Sequence, residues 1–274
     1  MLLLSAPFDE APQRRESRLG AALLQASAGA LVLLGMGLAA MVWGGSVGPL
    51  GRALMGAATH AGFLALGWAL ILDGAAGWRR PALRLAVLLV LVALLSRATA
   101  WGAALYAIVP IALVAEARRW RQSTSAGIVR PKAIAVVLGA AAGGFLGAHL
   151  LITSALTFGY VVRIESAGAY LGAIAYDVGA SALSAEWLFR GALFSRWWRY
   201  WPFAPAAALS TACTVLRYLL DPNLPVAVET RLGAIFYMGL LSFASCALRA
   251  WSGSLVPGYL ATVAFFVAYR TLSN

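Results

Sequence analysis

The feature that most constrains this chain is a series of long runs that carry no charge. Residues 20–43 and 133–158 contain no Asp, Glu, Lys or Arg, and each exceeds the roughly 18 apolar residues that mark a transmembrane helix. Lipid satisfies no backbone N–H or C=O, so a chain with several such runs folds as a helix bundle. Composition agrees: 62% of the 274 residues are hydrophobic and 11% charged, which excludes an ordinary soluble domain. The expected fold class is all-α, a polytopic transmembrane bundle of about eight to nine spans.

The runs fall at 20–43, 53–72, 82–96, 99–115, 133–158, 168–194, 203–220, 232–250 and 254–269. Gly44, Gly45, Ser46 and Pro49 mark a loop, and Asp221-Pro222-Asn223 a turn. Runs three and four are short and meet at Arg97, which reads as a tight hairpin, with one long broken helix as the alternative. Three regions result: residues 1–19 as a cytoplasmic leader, 20–167 as N-terminal helices, and 168–274 as a core that holds the intramembrane charges. No internal repeat and no loop long enough to fold independently is present.

The formal charge of +11 points to the bilayer and not to nucleic acid. Arginines between spans set topology and meet anionic headgroups. With nine spans and the N-terminus inside, the inner face receives Arg79, Arg80, Arg84, the Arg118–Lys132 loop, Arg196, Arg199 and Arg249. The outer face receives Arg52, Arg97, Arg163, Arg231 and Arg270. That asymmetry predicts a bacterial cytoplasmic membrane protein with its C-terminus outside, and it favours the hairpin at Arg97. Arg196 and Arg199, among Trp197, Trp198, Tyr200 and Trp201, read as an interface belt.

Within span six, Glu186 and Arg190 stand four residues apart, on one face of a helix. Ionisable groups at membrane depth are costly and suggest a functional site; the plainer alternative is a structural ion pair with Arg190 reaching the interface. Asp177, nine residues earlier, faces elsewhere on a regular helix and is expected to bond a neighbouring span. His60 and His149 are too far apart for a zinc pattern and are expected to hydrogen-bond adjacent helices. Cys213 and Cys246 lack CxxC spacing and read as small core residues. No cofactor or metal is called for.

The stretch Ala185-Glu186-Trp187-Leu188-Phe189-Arg190-Gly191 resembles the Glu-Glu-x-x-x-Arg helix of the CAAX protease and bacteriocin-processing (CPBP, or Abi) family of intramembrane endopeptidases. Leu232–Leu240, followed by Ser252-Gly253-Ser254-Leu255-Val256-Pro257, is similar to that family's closing pair of helices. The resemblance covers about residues 168–268. It implies a glutamate and a histidine that activate water at the membrane face, assisted by a second histidine and an asparagine. Laid on this chain, the first glutamate falls on Ala185, while Glu186 and Arg190 are kept. The phenylalanine and histidine of the second motif fall on Cys213 and Arg217, the last histidine on Thr262 and the asparagine on Phe266.

Arg217 cannot serve as a base, because a guanidinium stays protonated. Thr262 offers no useful base, and Phe266 donates nothing to an oxyanion. The resemblance therefore implies a pseudoprotease, with Glu186, Arg217 and Arg190 joined as a polar tie, that binds a membrane protein or lipidated peptide. Two alternatives stand beside it: an active, divergent endopeptidase using Glu186, and a membrane scaffold subunit or small transporter.

Overall fold

The computed structural model describes residues 12–43, 48–97, 102–122, 126–164, 166–220 and 227–273. It is all-α apart from one pair of two-residue strands. Helix α1 (Pro12–Trp43) runs antiparallel to α2 (Gly48–Ile71). Gly37 against Met55, Gly62 against Ala30 and Gly74 against Arg18 bring the two helices close along their whole length. A 3-10 turn (Ala76–Trp78) leads to α3 (Arg79–Leu95), and a 3-10 segment (Gly102–Ala107) leads into α4 (Ile108–Arg119). Next come α5 (Ala133–Phe158) and strand β1 (Val161–Val162).

One helical run then occupies residues 167–197. It comprises α6 (Ala167–Tyr176), a π segment (Asp177–Ser181), α7 (Ala182–Ala185), a second π segment (Glu186–Phe194) and α8 (Ser195–Trp197). Helices α9 (Phe203–Leu219), α10 (Val228–Ser252) and α11 (Val256–Tyr269) follow, ending in strand β2 (Leu272–Ser273).

Four helices among the described residues are long and apolar enough to cross a membrane: α1, α2, α5 and α10. Their outward side chains are apolar, as lipid contact requires: Leu31, Met36, Phe145, Leu156 and Phe236 are all more than half exposed. The expected span at 168–194 lies within the helical run of 167–197, whereas three others are shorter than full membrane helices. Helices α3 and α9 have 17 residues each and α11 has 14, which is about 26 and 21 Å at 1.5 Å per residue.

Several expectations are corrected. Residues 12–19 of the expected leader are helical and continuous with α1; residues 1–11 lie outside the described residues. Pro49, expected in a loop, stands in the first turn of α2, where its missing N–H costs nothing; residues 44–47 lie outside the described residues. The turn at 221–223 also lies outside them. The fourth span is not a single α-helix but 3-10 for six residues before α4. A hairpin does form at Arg97: Arg84 near the start of α3 pairs with Glu116 near the end of α4 at 2.9 Å, so the two helices are antiparallel.

The loops assigned to the basic side meet at one end of the bundle. Arg196 pairs with Asp73, Ser254 donates to Val129 O at 2.9 Å, and Leu255 N–H reaches Gly127 O at 2.8 Å. At the opposite end β1 and β2 pair antiparallel, Val161 with Ser273 and Val162 with Leu272. No strand was expected there; the pairing ties the start of the long helical run to the C-terminal end of α11.

The two halves share one core. Trp68 of α2 packs on Trp187 of the second π segment, with ring centres 5.0 Å apart and planes tilted by 51°. Helix α5 lies directly on α11: a methyl group at Gly139 or Gly143 would collide with the backbone carbonyl of Pro257 or Ala261. Glycines on one face of a membrane helix permit that approach.

Candidate functional site: a closed polar centre around Glu186

Glu186 begins the nine-residue π segment and is 2% exposed. A π turn (i→i+5) loosens the helix ladder and leaves carbonyls poorly paired. In lipid such carbonyls need other donors, and hydroxyl side chains supply them. Ser210 of α9 donates to Phe189 O at 2.8 Å, and Ser195 to Arg190 O at 2.8 Å. In the first π segment Tyr259 of α11 donates to Val178 O at 2.8 Å. The widened run is thus held in register by three hydroxyls, two of them from other helices.

The Glu186 carboxylate is met from two sides. Arg190, also 3% exposed at its side chain, places Nη2 3.6 Å from Oε1. Thr262 of α11 donates its hydroxyl to Oε1 at 2.9 Å and also lies 3.1 Å from Gly258 O, one turn back. Arg190 Nη1 in turn donates to Thr214 of α9 at 3.1 Å, and Thr214 to Ser210 O at 2.9 Å. Helices α9 and α11 and the π segment are therefore joined through one carboxylate and one guanidinium.

Oε2 faces α10 and makes no hydrogen bond, and the same holds for Ser242 Oγ, Ser245 Oγ and Arg190 Nε. The approach at Gly258 is tight: a Cβ there would stand 3.1 Å from Oε2 and 3.0 Å from Ser245 Cβ. Beside these groups lies a small cavity lined by Glu186, Arg190, Thr214, Tyr218, Ser242 and Thr262. Its volume, ≈ 10 Å³ measured at the centre of a water molecule, is room for about one water.

The sequence-derived site residues are not all brought together. Glu186, Arg190 and Thr262 converge, and Ala185 lines the same cavity. Arg217 does not join them. It sits near the end of α9, past Thr214, and lays its guanidinium 4.2 Å from the centre of the Tyr218 ring. The contacts described at the Glu186 carboxylate are those of Arg190 and Thr262. Phe266 packs apolar, 6.0 Å from the Tyr218 ring. Cys213 is half-buried and Cys246 buried, both as free thiols.

Three further polar contacts lie away from Glu186. Asp177, 1% exposed, receives a two-pronged hydrogen bond from Arg270 beyond α11, at 2.8 Å to each oxygen. His60 of α2 sits 2.8 Å from Ser184 Oγ and 2.7 Å from Tyr176 OH. His149 of α5 meets Tyr237 OH of α10 at 2.8 Å. Neither histidine touches Glu186, and no group of three His, Cys, Asp or Glu that could hold a metal occurs among the described residues.

Sequence reading missed Thr214, Ser242 and Ser245. Their signal was weak but present: hydroxyl residues at three- and four-residue spacing (210 and 214, 242 and 245) on otherwise apolar helices. Such residues commonly bond across membrane helix interfaces.

Comparison with protein-family models, with curated proteins and with solved structures finds no match to this chain. Its function is therefore argued from the site itself.

Proposed function

We propose that this chain is a membrane-embedded, non-catalytic protein resembling the CAAX-protease-like (CPBP/Abi) endopeptidases. In this reading it crosses the membrane nine times, with the N-terminus on the inner side. Its role is to bind a membrane protein or lipidated peptide. The observation that carries the reading is the closure of the Glu186 centre. The carboxylate is 2% exposed, opposed by Arg190 and capped by Thr262, with room beside it for one water and none for a peptide bond. A general base needs reach to the proton it abstracts. Here Thr262 occupies the position opposite Glu186, and no histidine stands beside it to relay a proton.

One observation favours a second reading, a divergent endopeptidase. Oε2 has no hydrogen-bond partner beside a cavity that admits a water, the arrangement a water-activating carboxylate would use. The test separates the two. Purified protein in lipid nanodiscs is incubated with prenylated and leader-bearing peptides, comparing the native chain with Glu186→Ala and Glu186→Gln. The non-catalytic reading expects intact peptide with all three proteins and peptide binding by the native chain. Cleavage by the native chain that disappears in both variants would overturn it in favour of the second.

A further inference from the structure

Four buried polar atoms around Glu186 face one cavity and make no hydrogen bond to another protein group: Glu186 Oε2, Arg190 Nε, Tyr218 OH and Ser242 Oγ. They come from three elements, the second π segment, α9 and α10. Glu186, Arg190 and Ser242 are at most 3% exposed, and lipid offers no hydrogen bonds. A buried polar atom without a partner is costly, so a ligand that satisfies all four is strongly favoured there.

The direct bonds of the centre leave α10 aside. Glu186 Oε1 meets Thr262 and Arg190 Nη2, and Arg190 Nη1 meets Thr214, which joins the π segment to α11 and α9. Helix α10 lines the cavity with Met238, Leu241 and Ser242, of which Ser242 is the polar one.

The chemistry of the four atoms identifies the ligand. Arg190 Nε–H only donates, the Glu186 carboxylate oxygen only accepts, and the Tyr218 and Ser242 hydroxyls do either. The ligand must therefore accept from Nε and donate to Oε2. The volume, ≈ 10 Å³, restricts it to a single non-hydrogen atom. Ammonium has no lone pair for Nε–H, and a halide has no proton for Oε2. A metal cation would add a second positive charge beside Arg190 with one carboxylate to balance both, which is costly in a dry interior. Water, with two protons and two lone pairs, meets every requirement.

We propose that this cavity is a binding site for one resident water, which accepts from Arg190 Nε, donates to Glu186 Oε2, and bonds the hydroxyls of Tyr218 and Ser242. Through it α10 is tied to α9 and the π segment. The site goes beyond the reading of Glu186 as non-catalytic and does not rest on it. The water is held whether or not a peptide is cleaved, so the cleavage assay and the test below fail separately.

The test is radiolytic footprinting of the full chain in lipid nanodiscs prepared in oxygen-18 water. A brief X-ray pulse turns a bound water into a hydroxyl radical in place, and the radical adds labelled oxygen to its neighbours. Tyr218 and Met238 line the cavity and should label several-fold faster than Trp68 and Trp187, which are buried elsewhere. Ser242→Val removes a hydrogen bond and fills part of the volume, so labelling of Tyr218 and Met238 should fall by at least half. Labelling no faster than at Trp68, or unchanged in Ser242→Val, would overturn the site. If Ser242→Val does not fold, a crystal structure of the native chain in a lipidic mesophase, at a resolution that shows ordered water, decides. One peak within about 3.2 Å of both Arg190 Nε and Ser242 Oγ supports the proposal. No peak there, or one with the short contacts of a metal ion, overturns it.

Discussion

Replacing Arg190 with leucine should be the most destabilising single change in the polar centre. The side chain is 3% exposed, and its Nη2 stands 3.6 Å from Glu186 Oε1. At an effective dielectric of about 20 that separation corresponds to about 5 kcal/mol of attraction. The attraction offsets the cost of burying both ions, so the pair as a whole contributes little net stability. Removing one member leaves the other uncompensated, and breaking such pairs costs roughly 3–5 kcal/mol. Arg190→Leu also leaves Thr214 without the guanidinium it meets at 3.1 Å. For a chain of this size the loss translates to a Tm drop on the order of 10 °C. Adding Glu186→Gln to Arg190→Leu removes the stranded charge and should recover most of that drop. Tryptophan fluorescence during thermal unfolding in one detergent provides the four Tm values of the cycle. If the double variant is as unstable as the sum of the single ones, the two residues are not coupled and the ionic tie is refuted.

Three other perturbations follow from the same geometry. Thr262→Val removes the hydroxyl donated to Glu186 at 2.9 Å; a bond to a charged acceptor contributes roughly 1.5–3 kcal/mol, so a Tm decrease is expected, with Thr262→Ser retaining most of the stability. Gly143→Leu should disrupt the α5–α11 contact, since even a methyl there meets Ala261 O, while Gly144→Leu should be tolerated, since a Cβ there meets nothing within 4 Å; unfolding curves that shift equally would refute the helix pairing. Arg84→Gln should change Tm very little, because the Arg84–Glu116 pair is 47% exposed on the arginine side and such pairs are worth about 0.2–1 kcal/mol; a large loss would mean the hairpin depends on it.

Much of the bundle was legible in the sequence because lipid imposes one rule on every span. Uncharged runs must be helices, and the arginines between them must gather at one end. The rule located α1, α2, α5 and α10 and brought Asp73, Arg196, Arg249 and Gly127 to a common end. It could not find the two π segments. Their cause is not a local propensity but the availability of Ser210 and Tyr259 on other helices to bind the loosened carbonyls of Phe189 and Val178. Nor could it place the partner of Asp177. On a regular helix Asp177 and Glu186 differ by half a turn, but the π segment that starts at Asp177 changes that azimuth, and Arg270 arrives from 93 residues away.

The same π geometry bears on which residue of α9 meets Arg190. Equivalence along α9 put position 217 opposite Glu186, yet the residue that reaches the centre is Thr214, through Arg190. Arg190 is long enough to bridge the gap itself, so a second cation is not required to neutralise Glu186. A further guanidinium at that level would leave the cluster with excess charge in a low-dielectric interior, which is costly. Tyr218 and Phe63 offer Arg217 aromatic faces, with ring centres 4.2 and 6.0 Å from the guanidinium carbon, and cation–π attraction favours that packing. The centre is thus a matched pair of one carboxylate and one guanidinium, with hydroxyls from three other helices around it. Such a pair holds Glu186 in place as an acceptor for Thr262 and Arg190, which suits a tie between helices better than it suits a base.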